Sequence, residues 1–308
     1  MVLGANGPIG SEIVSVLRAN GVEHVSVSRT GASAQSVIAN RTDTDRILEL
    51  IRARRIDTIV DVIAYTEPET GALLDAVDGH ISRYVMLSSA DVYRNYGLFT
   101  GKEIGDPDPI LTEGSALRRS RYPYRENRLR SRDDPNLWMD KYDKIPIESR
   151  VKKMHAAWTI LRLPMVFGAR GKLNRFDWIM SPIRRRKQHL TVSQCTLNWV
   201  TSYGYVRNIA AAIVLAACHE NAANRVFNVT DSAPVPHSDW IECIAEIAGW
   251  SGDVIPEPTE KQTRPNQPNW SIPLAMSGSA FKEALGFSPP YSRKDALTDI
   301  WIELSSAS

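Results

Sequence analysis

The segment Gly4-Ala-Asn-Gly7-Pro-Ile-Gly10 constrains this chain more than any other. It follows the apolar run Met1-Val-Leu3 and opens a helical pattern over about residues 8 to 20. Glycines at this spacing allow a tight turn and let the backbone approach a pyrophosphate held at a helix N-terminus. Pro8 suits a first helical turn, where its missing N–H costs nothing. Downstream, β-branched runs at 24–28, 58–63 and 83–88 alternate with helical patterns at 44–54 and 69–78. Repeated strand–helix–strand order predicts an α/β fold built on a doubly wound parallel Rossmann sheet. Dinucleotide binding is the function that this arrangement favours.

Residues 94–135 interrupt the alternation with Pro107, Pro109 and Pro123 among Arg118, Arg119, Arg121, Arg125, Arg128, Arg130 and Arg132, and read as a loop-rich insertion. A helix is expected at 145–158 and a strand at 159–163, ended by Pro164. Further helices are expected at 206–219 and 237–248, with a strand at 225–229. The division this suggests is a mainly dinucleotide-binding domain over 1–168 and a smaller, loop-rich substrate lobe over 169–308, with 201–230 returning to the first domain.

With 308 residues, 43% of them hydrophobic, the chain can bury a full core. Its formal charge of +2 exerts no global pull toward nucleic acid or an anionic membrane. That value hides an asymmetry: residues 115–153 hold 12 basic and 6 acidic side chains, and residues 231–308 hold 5 and 11. The basic stretch reads first as a solvated insertion or subunit contact and second as a lobe for an anionic substrate. Nucleic acid is the least favoured partner, because no platform of stacking aromatics accompanies it. Arg184-Arg-Arg-Lys187 forms a second basic run near the expected substrate entrance. The apolar run at 209–218 is half of the about 20 residues needed to span a bilayer, so no membrane is expected. Three separated cysteines and the absence of a leader pattern suit a cytoplasmic protein. No HExxH or cysteine cluster is present, so no metal is expected. At the end of the second strand, Ser28-Arg29-Thr30 replaces the acidic residue common in NAD sites; an arginine there modestly favours NADP.

The glycine turn, Asp61, the segment Ser88-Ser-Ala-Asp-Val-Tyr93, Lys144 with Glu148, Arg162-Leu-Pro-Met-Val-Phe-Gly168 and Arg225-Val-Phe-Asn-Val-Thr230 together resemble the extended short-chain dehydrogenase/reductase superfamily, in particular its NAD-dependent epimerase/dehydratase branch, over about residues 1–230. The resemblance implies a pyrophosphate held by Gly4, Asn6, Gly7, Pro8, Ile9 and Gly10. It implies adenine contacts at Asn40 and Arg41, with Arg29 and Thr30 beside the adenosine. Ile63, Ala64, Tyr65 and Ser88 would line the nicotinamide side, Lys144 would bind the ribose hydroxyls, and Pro164, Met165 and Val166 would border the nicotinamide. A homodimer through helices near 69–79 and 145–158 is likewise implied.

By the same resemblance Ser89 would polarise the substrate, and Asp91 falls among the positions that carry an acid or base in dehydratases. The departure lies at the Tyr-x-x-x-Lys signature, since Asp140 stands four residues before Lys144. Tyr142 is two residues before it, and in a helix would point around a different face. The expected proton-handling set is therefore Ser89, Asp91, Asp140 and Lys144. The implied activity is an NAD(P)-dependent oxidoreductase or epimerase/dehydratase acting on a small hydroxylated or carbonyl substrate, anionic or nucleotide-linked compounds among them. The competing class is a non-catalytic dinucleotide-binding regulator or RNA-associated protein. Trp178, Trp199 and Tyr203 lie where related enzymes build substrate pockets.

Overall fold

The computed structural model describes residues 1–31, 36–125, 129–169, 171–258 and 268–306. Its first part runs β1 (Val2–Leu3), α1 (Pro8–Ala19), β2 (Ser26–Ser28), β3 (Ser36–Ile38), α2 (Thr44–Arg54), β4 (Thr58–Asp61), α3 (Glu67–Val77), β5 (Arg83–Ser89), α4 (Arg94–Phe99), α5 (Lys144–Val151) and β6 (Ala157–Leu163). The remainder comprises β7 (Met165–Phe167), α6 (Asp177–Arg184), β8 (His189–Ser193), α7 (Gln194–Asn198), β9 (Val200–Thr201), β10 (Tyr203–Tyr205), α8 (Val206–Cys218), β11 (Arg225–Asn228), β12 (Val235–Pro236), α9 (His237–Ala248), β13 (Asp253–Glu257), α10 (Ser279–Leu285) and α11 (Arg293–Ser306).

Seven strands form one parallel sheet in the order β11-β6-β5-β4-β1-β2-β3. Strand order reverses between β1 and β4, and the crevice beyond the carboxyl ends of the strands there is where α/β sheets bind ligands. Both faces are covered, which explains the continuous apolar runs of the central strands. Alternation along β5 divides its side chains between the two cores. Val85 and Leu87 join Ile13 of α1 and Ile209 and Ile213 of α8 on one face. Tyr84 and Met86 join Leu73 and Leu74 of α3 and Ile147 and Val151 of α5 on the other. The C-terminal lobe adds the short pairs β7–β10, β9–β12 and β8–β13.

Two differences from expectation bear on the sheet. The helix expected at 145–158 ends at Val151, because the Asp78 carboxylate accepts the N–H groups of His155 and Ala156 and turns the chain into β6. The edge strand β3 has no counterpart in the sequence reading; three residues carry too little alternation to be seen. Among the described residues, no helix is long and apolar enough to cross a membrane.

Candidate active site

The site grows from the β1–α1 turn. Gly4 has φ of +85°, a left-handed conformation that disfavours any side chain. Gly7 donates to the Gly4 carbonyl at 3.0 Å, and a Cβ on Gly10 would collide with that same oxygen. The turn is thereby closed tightly enough for the first-turn amides of Ile9 and Gly10, which lack intrahelical acceptors, to face an anion. The Asn6 amide and the Ser28 hydroxyl both donate to the Thr30 carbonyl and tie this turn to the end of β2, whereas Arg29 and Thr30 are exposed.

Asp61 ends β4 wholly buried. Its Oδ1 accepts the Ile63 N–H at 3.0 Å, and its Oδ2 accepts the Tyr84 hydroxyl at 2.6 Å and an Arg41 guanidinium nitrogen. Arg41 is 5% exposed, and its Nε and Nη1 are buried without a protein partner. Such donors suit a bound polar group, so the crevice fits a dinucleotide at both the glycine turn and Arg41. Asn40 is exposed and accepts the Thr42 N–H. Ile63 lies over Gly4, with Ala64 and Tyr65 following. Tyr65 stacks on Trp138, with ring centres 4.6 Å apart. On the far side, Pro164 leads into β7, where Met165 pairs with Tyr203 and the Val166 carbonyl accepts Arg175 Nε at 2.7 Å.

Lys144 is 3% exposed and donates from Nζ to the carbonyls of Ala64 at 2.7 Å and Leu87 at 2.8 Å. Burial lowers its pKa to about 8, against the opposing charges of Asp61 and Asp91. The ammonium lies 5.0 Å from the ring centre of Tyr65 and 5.5 Å from that of Tyr142.

The helical premise about Tyr142 does not hold. Helix α5 begins at Lys144, Tyr142 makes an antiparallel bridge with Thr66, and Asp143 is extended. In extended backbone, residues two apart project to the same side, so Tyr142 and Lys144 meet. The Tyr142 hydroxyl donates to Asp91 Oδ2 at 2.8 Å and also neighbours the Ser89 hydroxyl. Burial and the charge of Asp91 push its pKa well above the ordinary phenol range. Pro146 was the available signal: it marks a first helical turn and so places Tyr142 before the helix.

Asp91 is 2% exposed, and burial raises its pKa despite Arg118 and hydrogen bonds from Tyr142, Ser89 and Tyr124. Oδ2 also accepts the Tyr124 hydroxyl at 3.0 Å, and Oδ1 is buried without a partner. Ser89 Oγ accepts the Asp91 N–H at 3.2 Å. Two expected site residues lie elsewhere. Asp140 is bound by the Arg130 N–H and guanidinium; burial works against its charge, but those bonds and the charges of Arg130 and Arg125 prevail and keep its carboxyl below the usual range. Ser88 falls on the opposite face of β5 from Ser89, and its hydroxyl donates to Glu148 at 2.6 Å, beside the Arg162–Glu148 pair.

Four arginines of the insertion bond to groups of this chain. Arg118 and Arg121 pair with Asp143 at 2.9 and 2.7 Å, Arg125 donates to the Asp140 carbonyl, and Arg130 pairs with Asp140. Arg128 lies outside the described residues. Sequence reasoning passed over Tyr124 altogether, for its partner Asp91 is 33 positions away.

A family model described as the NAD dependent epimerase/dehydratase family matches residues 1–230. No curated protein matches the chain. Among solved structures, the UDP-glucose 4-epimerase of Thermotoga maritima with UDP-glucose is 17% identical, with TM-score 0.71 over 99% of this chain and 98% of that one. A short-chain dehydrogenase/reductase superfamily protein of Agrobacterium tumefaciens with bound NAD is 17% identical, with TM-score 0.70 over 99% and 95%. The dTDP-glucose 4,6-dehydratase of Bacillus anthracis in complex with NAD is 16% identical, with TM-score 0.68 over 99% and 96%. These findings overturn the expectation of NADP: the matched family is NAD dependent, and both cofactor-bound structures carry NAD. Arg29, which prompted that expectation, is an exposed side chain at a strand end. By the match over residues 1–230, the chain belongs to the NAD-dependent epimerase/dehydratase family, a family of enzymes.

Proposed function

We propose that this enzyme uses NAD to oxidise and reduce a nucleotide-linked sugar, with Ser89, Tyr142, Asp91 and Lys144 as its proton-handling set. The observation that carries the reading is the meeting of the Tyr142 hydroxyl with Asp91 Oδ2 at 2.8 Å beside Ser89 and Lys144. The substrate class draws support from the UDP-glucose and dTDP-glucose named for the two relatives above.

Bound NAD would supply the hydride acceptor and donor. Gly4, Gly7 and the amides of Ile9 and Gly10 would hold its diphosphate, Arg41 the adenosine side, and Lys144 the ribose hydroxyls. Ser89 orients the substrate hydroxyl. The proton of that hydroxyl passes to the Tyr142 oxygen while the phenol's own proton moves to Asp91 Oδ2. One O–H bond breaks on the substrate, one is exchanged on Tyr142 and one forms on Asp91, so no phenolate accumulates. Such a relay suits a phenol whose ionisation burial disfavours. The non-catalytic reading rested on a missing phenol and a free basic insertion; Tyr142 and the internal bonding of Arg118, Arg121, Arg125 and Arg130 weigh against both.

Release of bound nucleotide by denaturant followed by mass spectrometry should identify NAD. NADP, or a folded protein that binds neither, would reject the cofactor assignment. UDP-glucose and dTDP-glucose should then give an epimerised or 4-keto product visible by NMR. Inertness toward both and toward related sugar nucleotides would reject the substrate class while leaving the NAD result standing.

A further inference from the structure

The basic insertion brings a second phenol to the same carboxylate oxygen. Tyr124 and Tyr142 donate to Asp91 Oδ2 at 3.0 and 2.8 Å, and their rings meet edge to face with centres 5.1 Å apart. Tyr96 packs edge-on against Tyr124, with ring centres 5.9 Å apart. The backbone around Tyr124 is held unusually firmly for a loop. Lys102 Nζ donates to the carbonyls of Tyr122, Pro123 and Arg125 at 3.4, 2.6 and 3.0 Å, and Arg130 Nη1 donates to the Tyr124 carbonyl at 3.2 Å. Arg118 and Arg121 then join this segment to Asp143, which separates Tyr142 from Lys144. Lys102, Arg118, Arg121, Arg125 and Arg130 thus converge on the two stretches that carry the phenols.

We propose that Tyr124 is a positioning residue for proton transfer: its hydroxyl holds Asp91 Oδ2 against Tyr142, and the basic insertion is the scaffold that puts it there. The physical need is clear from the burial of Asp91. A carboxylate removed from water requires donors, and Asp91 Oδ1 has no partner, so the side-chain donors that favour its ionised form are concentrated at Oδ2. With Tyr124 gone, Asp91 would hold its proton more tightly, so a larger fraction of it would already be protonated and unable to take one from Tyr142. The inference rests on the proton relay proposed above, yet its test needs neither turnover nor a known substrate.

The infrared carbonyl band of protonated Asp91, assigned by its loss in D91N, should be followed against pH in the purified protein with its bound nucleotide. Y124F is expected to raise the midpoint by about one pH unit, a roughly tenfold stronger protonation, as loss of a hydrogen bond to a charged group predicts. K102M, which frees the loop without touching either phenol, is expected to shift it in the same direction by less. A band that titrates identically in wild type and Y124F overturns the proposal. Should Y124F fail to fold, an unmoved midpoint in K102M does so. Failure of the sugar-nucleotide reading would appear instead as inertness toward UDP-glucose and dTDP-glucose with the Y124F shift intact.

Discussion

Tyr142, Asp91 and Lys144 form a compact set in which each residue's chemistry depends on the next. Y142F should reduce turnover by about 10²–10⁴-fold, the usual contribution of a positioned proton donor. D140N should act only through the fold, because its carboxylate meets Arg130 and not the phenol. Equal losses of turnover in the two variants would refute the assignment. Lys144 adds a pH signature. Burial lowers the pKa of its ammonium to about 8, so the cationic form that the proposed ribose contact uses is lost as pH rises through that value. NAD affinity measured calorimetrically should weaken across that range and stay flat, at a lower level, in K144M. The corresponding stability effect has the opposite sign. The unfolded lysine keeps its proton up to its ordinary value of 10.5, so between about 8 and 10.5 the unfolded state binds more protons and stability rises with pH.

The insertion over 94–135 shows what a charge count leaves out of account. Its arginines read as a solvated or anion-binding face, since counting says how many charges a segment carries but not which distant carboxylates they meet. Asp143 lies 25 positions from Arg118 and 22 from Arg121, and Asp140 lies 10 from Arg130. Arg118 and Asp143 are both buried, so R118M leaves a buried carboxylate short of its partner. A loss of about 3–5 kcal/mol in denaturant unfolding is expected. The exposed Arg132 should be replaceable by Ser within about 0.5 kcal/mol. If both substitutions prove equally harmless, the insertion is not the scaffold described. The helices and strands of the sheet were much more legible. Their apolar periodicity is local, as at Ile13 and Leu17 of α1 or Val85 and Leu87 of β5, and burial follows from it directly.

Across the whole molecule, the C-terminal lobe carries its own pH liability. His237 at the start of α9 is 3% exposed, with Tyr203 on Nε2 at 2.9 Å and Nδ1 unpartnered among Trp178, Trp199 and Tyr203. Burial lowers its pKa to about 4. The unfolded chain takes up this proton below about 6.5, before the folded one does, so stability should fall as pH drops from 6.5 toward 4. The loss is on the order of 3 kcal/mol at most. Thermal melts across that interval should show the slope, and H237F should flatten it. Sequence by itself determined the parallel α/β sheet and the glycine turn, because strand alternation, helix period and glycine conformation act within a few residues. Tertiary structure decided which phenol meets the lysine and where the arginines go. Tyr142 reaches its place because α5 starts at Lys144 and residue 142 bridges to Thr66, and Tyr124 because Lys102 gathers its loop. Contacts between segments far apart in the chain leave no periodic trace along it.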